Sequence, residues 1–529
     1  MLELSRLSDA VRYEGGISRR LFLAYGAALA ALPQLAQRTV AAERSVTFPS
    51  DPFSCGVASG DPDAKSIALW TRLALDRFDP NGGMPNEMIP VQWEVAHDEA
   101  FANIVTKGVA TATPQLGHSV HVIAKGLAPD RWYFYRFRAG DAQSAVGRCR
   151  TLPSSDSMPE KLRFAVTSCQ NYEQGLYTAY EQMLQDDVDL VFHLGDYIYE
   201  GPGRDNQVRK HFGKEIVSLG DYRVRHAQYR SDPLLQRMHA ACPWFVTWDD
   251  HEFDNNYAGA ISEQTNEDPV AFLQRRANSY QAYYENMPLR PRSVPKGPEM
   301  RLYRSGSFGR LAEFLILDTR QHRTDQPNDD KLSRINEAAK AVKGSMLGRP
   351  QRQWLQSSLL TSEATWNVLA QQVMMGMAAL GRDGIDPLYS MDQWPGYAFE
   401  RQELATFLAD RRIPNPVVLT GDIHSNWANE LRIDDRQHDT PVVATEFVAT
   451  SLSSGGNGKA QPDYLGLLQT VNPFVKFHST ERGYIRCNVT PQSWTSDYVA
   501  VEDVLAPGGK IVTRASFVIE AGQAKLNNA

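Results

Sequence analysis

Four apolar runs of β-branched and aromatic residues in this chain each break off into a short polar cluster, and segments of helical character lie between them. Phe164 to Val166 leads into Thr167-Ser168-Cys169, and Leu190 to Leu194 into Gly195-Asp196-Tyr197-Ile198-Tyr199. Trp244 to Trp248 leads into Asp249-Asp250-His251-Glu252, and Val417 to Leu419 into Gly421-Asp422-Ile423-His424. Such a chain must place Cys, Asp, Tyr and His at the carboxyl ends of strands, where an open α/β sheet forms its ligand crevice. One Asp after a strand fits a turn, because its side chain satisfies the local backbone. Four clusters in one chain point to a shared metal centre, since carboxylates gathered without cations repel one another. A metal-dependent hydrolase is the leading reading.

At 529 residues the chain exceeds one ordinary domain, so two are expected. Its net charge of −7 offers no basic footprint for nucleic acid, although a nucleotide held at a local cationic site stays open. Residues 1–42 differ in kind. Ser18-Arg19-Arg20-Leu21-Phe22-Leu23 precedes a short apolar run from Ala24 to Ala36, and the small residues Ala41 and Ala42 follow. This reads as a twin-arginine export signal cut after Ala42, with the protein periplasmic or secreted. The run is shorter than the ~20 residues that span a bilayer, and no later stretch reads as a span. Export through the twin-arginine translocation machinery would let a cofactor be loaded before crossing. Five cysteines leave an odd thiol. Cys169 lies in a site cluster, Cys55 and Cys149 can pair, and Cys242 and Cys487 read as core.

Residues 48–153 read as all-β, with strand-like runs at Ser66 to Arg72, Val91 to Ala96 and Val120 to Ile123. The alternating aromatics from Trp132 to Phe137 complete a pattern resembling an immunoglobulin or fibronectin-like β-sandwich. Ser154 to Pro159 forms a linker, and residues 160–529 alternate strand with helix, an α/β arrangement. Helices are expected over Tyr177 to Gln185, Asp221 to Met238 (one or two), Pro269 to Asn286, Gln351 to Leu360 and Phe399 to Asp410. Strands are expected over Phe314 to Leu317, Trp366 to Ala370 and Ile511 to Glu520. Residues 323–349 read as an exposed insertion, and Ser453 to Asp463 as a flexible loop.

Asp196 follows a strand directly, so its two oxygens can bridge two cations. Tyr199, three residues on, can return to the same site as a phenolate ligand of trivalent iron, or simply pack as an aromatic. In Asp249-Asp250-His251-Glu252 one group can bind metal while another protonates a leaving group. Asp254-Asn255-Asn256 offers hard oxygen ligands suited to calcium. Asp422 and His424, two apart on an extended backbone, can point to one side.

The order of these clusters resembles the alkaline phosphatase D (PhoD) family of phosphodiesterases and phosphomonoesterases. Phe53-Ser54-Cys55-Gly56-Val57-Ala58-Ser59-Gly60-Asp61-Pro62 and Leu317-Asp318-Thr319-Arg320 also resemble it. That family is a branch of the calcineurin-like metallophosphoesterases, and the resemblance implies a four-layer αββα metallophosphoesterase domain after the β-sandwich. It implies Fe3+ held by Cys169, Asp196, Tyr199 and His424. It also implies Ca2+ ions, two in number, reached by the bridging Asp196, by Asp422, and by Asp250 and Asn255 of the 250–255 stretch. His251 matches the catalytic imidazole of the wider superfamily. The superfamily's first Asp-x-His is replaced by Ser168-Cys169-Gln170, the first His of its Gly-His-x-His by Asp422, and its intervening His-bearing strand by Ala370-Gln371-Gln372-Val373. These changes remove nitrogen and add oxygen or sulfur, which favours calcium over zinc or manganese at the second site. The resemblance suggests a C-terminal helix over the site, whereas Ile511 to Glu520 reads as a strand.

The implied chemistry is in-line hydrolysis of a phosphate mono- or diester by a metal-activated hydroxide, with His251 or a metal assisting the leaving alkoxide. Arg320 can clamp a phosphate oxygen or pair with Asp318 or Glu313. Two other readings remain: an exported binding protein with structural metals, and an extracellular nuclease, although no stable nucleic-acid complex is expected. Loss of phosphodiester turnover on chelation separates the enzyme from the first. A weak salt dependence of nucleic-acid binding counts against the second.

Overall fold

The computed structural model describes residues 46–380 and 387–529, so the export signal expected over 1–42 lies outside the described residues. The amino-terminal part carries β1 (Val57–Gly60), β2 (Ser66–Arg72), β3 (Ile89–Ala96), β4 (Ile104–Ala112), β5 (Ser119–Lys125), β6 (Trp132–Ala139), β7 (Ala142–Gln143) and β8 (Gly147–Arg150). Then come β9 (Leu162–Thr167), α1 (Thr178–Asp186), β10 (Leu190–His193), α2 (Leu219–Tyr229), α3 (Pro233–Ala241), β11 (Trp244–Val246) and α4 (Pro269–Asn286). A second strand–helix series follows: β12 (Arg304–Phe308), β13 (Ala312–Ile316), α5 (Gly348–Thr361), β14 (Trp366–Ala370), α6 (Ala398–Asp410), β15 (Pro416–Thr420), β16 (Asn426–Leu431) and β17 (Ala444–Val448). The chain closes with α7 (Leu465–Val471), β18 (Val475–Ser479), β19 (Arg482–Val489), β20 (Ser493–Val501), β21 (Ile511–Glu520) and β22 (Asn527–Asn528).

These elements make a mixed α/β protein with several sheets. One sheet has ten strands, ordered β22-β21-β20-β19-β9-β10-β11-β1-β2-β5, and a second has seven, ordered β12-β13-β14-β15-β17-β16-β18. At the heart of the first, β9, β10 and β11 run parallel, and β1 lies parallel to β11. In the second, β13, β14, β15 and β17 run parallel. The two parts of the chain therefore share a sheet, because β1, β2 and β5 extend the strands of the second part. The remaining amino-terminal strands form a sheet ordered β4-β3-β6-β7 with β8 on β6, and its Val91, Tyr135 and Phe137 pack in one cluster with Val57, Leu69 and Val122.

Side chains alternate across each strand, and this sorts the core into layers. Phe164, Val166 and Phe192 meet Phe314, Val368 and Leu419 between the two sheets. Their neighbours Ala165 and Val191 face Tyr180 of α1, Met238 of α3 and Tyr283 of α4. Leu369 and Val418, on the outer face of the second sheet, meet Leu355 of α5 and Leu404 of α6. Strands buried on both faces explain why β14 and β15 read as continuous apolar runs. Asp232 and Asp268 cap α3 and α4, each ahead of a proline whose missing N–H costs nothing at that position.

The expected spans of α4, β14 and β21 coincide with those found, and the tail is a strand. Three other expectations need correction. The stretch 323–349 is not simply exposed: Arg323, Ala339, Met346 and Leu347 are buried, and Arg323 is held by Asp392 at 2.6 Å. Gln326 is buried too, and the rest of the stretch is exposed or half-buried, as its polarity suggests. In the loop from Ser453 to Asp463, Ser453 and Ser454 are fully buried. All five cysteines are free and buried, so Cys55 and Cys149 do not pair. Cys55 packs against Trp70 and Ala227, whereas Cys149 lies in the amino-terminal core. Among the described residues no helix is long and apolar enough to cross a membrane.

Candidate metal centre

The carboxyl ends of the parallel strands meet along one rim, where an isolated bridge between Ser168 and Ser451 ties the two sheets together. Here Cys169, Asp196, Asp422 and His424 all have positive φ, at 55°, 56°, 64° and 52°. Non-glycine residues adopt that conformation at a cost of order 1–3 kcal/mol, and the cost persists where surrounding structure dictates it. Gly195 has φ 114°, and a Cβ there would stand 2.6 Å from the backbone N of Asp249. Glycine thus lets the end of β10 approach the end of β11. Gly195→Ala is expected to lose roughly 1–3 kcal/mol of stability, read as a lower urea midpoint with unchanged slope.

Three overlapping groups of ligand-type side chains occupy this rim. Cys169, Asp196 and His424 form one, Asp196, Asp250 and His251 a second, and Asp249, Asp250 and Asp422 a third, the offered atoms in each lying within 4.8 Å of one another. Tyr199 joins the first: its hydroxyl donates to Asp196 Oδ2 at 2.7 Å and stands 3.1 Å from His424 Nε2. Ser454 Oγ lies 2.7 Å from that phenol oxygen and 2.6 Å from the Cys169 carbonyl. Burial, then the Asp196 carboxylate, push both the Cys169 thiol and the Tyr199 phenol well above their usual pKa values.

Beside this group lies a nest of carboxylates. Arg320 is fully buried, with Nε 2.5 Å from Asp249, Nη1 2.6 Å from Asp392, and Nη2 3.3 Å from Asp422 and 3.7 Å from Asp250. Its guanidinium is thus committed neither to an open phosphate clamp nor to Asp318 or Glu313, because four other carboxylates surround it. Burial lifts Asp249 to about 7 against the pull of Arg320, and lifts Asp422 well above its usual range with Asp249 adding to the effect. Asp250 goes the other way: Arg320 and His251 outweigh its burial. His251 Nδ1 stands 2.7 Å from Glu200, and its ring centroid 4.2 Å from that of Tyr199. Burial disfavours its imidazolium, but Glu200, Asp250 and Asp196 outweigh that and raise its pKa well above 6.5.

Asn255 is not brought into this nest. Its amide donates to Glu263 at 2.8 Å, while the backbone N–H of Asn256 donates to Asp250 Oδ2 at 2.7 Å and the Asn256 side chain donates to Asp330. With φ at 47°, Asn256 turns the chain and rotates its neighbour outward. Glu252 binds the two ligand loops together: its carboxylate accepts from the backbone N–H of Asp196 at 3.1 Å, Tyr197 at 2.6 Å and Asp249 at 2.8 Å. Gln393 donates to Asp422, and Arg482 donates to the His424 and Ser454 carbonyls at 2.8 Å each. Sequence reasoning did not single out Glu200, Glu252, Asp392, Gln393, Ser454 or Arg482. Only Glu252 carried a local signal, standing in the third cluster.

A cation suits this donor set. Asp196 Oδ1, Asp249 Oδ2 and Asp250 Oδ1 are buried carboxylate oxygens without a hydrogen-bond partner, which buried polar atoms seldom lack. Asp196 and Asp250 each belong to two of the three groups, as a pair of neighbouring cations would require.

Comparison with known proteins adds the lineage. The PhoD-like phosphatase family model matches residues 164–498, and the model of that family's N-terminal domain matches residues 38–153. Alkaline phosphatase D of Bacillus subtilis (strain 168) is 48% identical over 484 residues, covering 90% of this chain and 82% of the relative. A solved structure of PhoD superposes with a TM-score of 0.89 at 48% identity, covering 92% of this chain and 93% of that one.

Proposed function

The chain belongs to the PhoD-like phosphatase family and is a phosphoric ester hydrolase, and from that premise we propose how its residues divide the work. Cys169, Asp196, Tyr199 and His424 hold Fe3+, while Asp196, Asp249, Asp250 and Asp422 serve Ca2+, one or two ions. A thiolate together with a hard phenolate donor suits ferric iron, and an all-carboxylate set suits calcium. Asn255 is withdrawn from this set in favour of Asp249. The observation that carries the reading is the sharing of Asp196 and Asp250 among the ligand groups, with one buried, unpartnered oxygen on each of Asp196, Asp249 and Asp250. Cations bound there supply positive charge to phosphoryl oxygens and acidify a water for in-line attack.

The chain's own side chains do the rest. Glu200 fixes His251 through Nδ1 and leaves Nε2 as the edge that can protonate a departing alkoxide. Arg320 orients Asp249 and Asp422 rather than touching substrate. Glu252 holds the backbone of Asp196 and Asp249, so the ligand loops need little reorganisation. We read the layers as an αββα sandwich over 160–529, with a β-sandwich over 48–153 that lends three strands to the larger sheet. Residues 1–42 act as the twin-arginine export signal, so Arg19→Lys with Arg20→Lys should retain the protein in the cytoplasm.

Turnover of a 4-nitrophenyl mono- or diester is expected to vanish with EDTA and return on restoring iron and calcium. The loaded protein should carry a broad visible phenolate-to-iron band that Tyr199→Phe removes. An iron-free, colourless and fully active preparation would falsify the assignment.

A further inference from the structure

Away from the metal centre, a buried seam joins β2 to α2 and the last turn of α4. Arg72 of β2, Arg223 of α2 and Arg230 at the carboxyl cap of α2 all lie in it, and Glu285 is the carboxylate they meet. Arg223 takes Glu285 for itself, through Nη2 at 2.6 Å and Nε at 2.7 Å. Arg72 is served by neutral oxygens instead, the Gly117 carbonyl at 2.9 Å, the Arg223 carbonyl at 3.1 Å and Asn286 Oδ1 at 3.5 Å. Arg230 has least. Its Nη2 donates to the Asn286 carbonyl at 2.8 Å, and its guanidinium stands 4.3 Å from the centroid of the Trp70 ring. Its Nε and Nη1 are buried without a hydrogen-bond partner, and the ionisable side chains around it are Tyr197, Cys55, Tyr135 and Tyr180 rather than carboxylates.

His226 lies one turn before Arg230 on the same face of α2, so the two side chains are neighbours. It is fully buried, and neither of its ring nitrogens has a partner. Burial, then Arg230, Arg72 and Arg225, hold its pKa well below 6.5, so the ring is neutral and offers one N–H. A buried charge is costly unless it is paired, and buried polar atoms seldom go without a partner. The final carbonyls of α4 supply only about half an elementary charge. Three guanidinium groups thus face one carboxylate, with idle donors on Arg230 and His226 side by side.

We propose that Arg230 and His226 bind a small inorganic monoanion, of chloride size, inside this seam. One such ion accepts from both residues and lowers the excess positive charge. Water would serve the idle nitrogens but leave that excess untouched. The enclosure sets the size: Trp70, Tyr197 and Tyr283 surround the pair and are fully buried, so an oxyanion as large as phosphate would have to displace them. The ion would tie α2 to the strands that the amino-terminal part lends to the larger sheet. Its role is structural and separate from ester hydrolysis.

Bromide is the probe, because it replaces chloride and is located by its anomalous X-ray scattering. The metal-loaded protein is melted in sodium bromide, sodium chloride and sodium gluconate at equal ionic strength, and crystals grown in bromide are measured at the bromine edge. An anomalous peak within hydrogen-bonding reach of Arg230 and His226 is expected. Both halides should raise the melting temperature over gluconate, with the folded-to-unfolded ratio rising about tenfold once halide reaches about ten times its dissociation constant. Arg230→Met should lose the peak and the halide increment and keep native turnover of a 4-nitrophenyl ester. His226→Phe, which should weaken both, carries the same comparison if Arg230→Met does not fold. Equal melting in halide and gluconate would overturn the proposal, as would a halide increment undiminished in the variants. Density beside Arg230 without anomalous signal would identify water, and bromide found only at the surface an adventitious ion only; either result would also overturn it.

Discussion

Replacing Asp196 with asparagine is expected to lower kcat/KM by about a thousandfold or more, roughly 4 kcal/mol of transition-state stabilisation, while the chain stays folded. Asp196 is shared by two of the three ligand groups, so losing its charge weakens both at once. Asparagine is the informative replacement because it keeps the shape and tolerates the left-handed backbone that Asp196 adopts at φ 56°. Glu252 can still accept from the backbone N–H of residue 196, and Tyr199 can still donate to the remaining amide oxygen. What changes is the negative charge and one lone-pair-bearing oxygen. The measurement pairs steady-state kinetics on a 4-nitrophenyl ester with metal content per chain and the melting temperature. An unshifted melting curve, lowered metal content and near-total loss of turnover are the expected set. A variant that keeps native activity and native metal content would remove Asp196 from the centre.

That Asp196 could be singled out from sequence, while Asp392 could not, has a physical cause. A ligand at the end of a buried parallel strand is announced by the apolar run before it, because the strand is covered on both faces and reads as continuous hydrophobicity. Cys169, Asp196, Asp250, Asp422 and His424 all sit at such ends. Asp392 and Gln393 follow no strand, and they reach Arg320 and Asp422 through a fold that brings residues far apart in the chain together. Ser454 is hidden for another reason. Its loop is rich in glycine and polar groups, yet its hydroxyl finds partners at Cys169 and Tyr199, so polarity there means buried hydrogen bonding. Within Asp254-Asn255-Asn256 both side-chain amides are chemically suited by sequence, yet Asn255 turns to Glu263 and Asn256 to Asp330, and only the backbone N–H of Asn256 reaches Asp250.

Arg320→Met is expected to cost about 3–5 kcal/mol of folding stability in protein stripped of metals, because removing one partner strands the others as uncompensated buried charges. The guanidinium serves Asp249, Asp250, Asp392 and Asp422 together, and it is wholly buried. Methionine fills a similar volume, so the loss reports on charge rather than on a cavity. Arg320→Lys should recover only part of it, since an ammonium is a point charge that cannot reproduce the fork reaching Asp249 and Asp392 at once. The two cases also differ in their response to calcium. In the variant an added divalent cation is the remaining way to offset the carboxylates, so calcium should raise the melting temperature of Arg320→Met by more than that of the native chain. Equal melting temperatures of native and Arg320→Met protein in EDTA would show that the carboxylates do not depend on the guanidinium, and Arg320 would then be available for the substrate role that its sequence position also suggested.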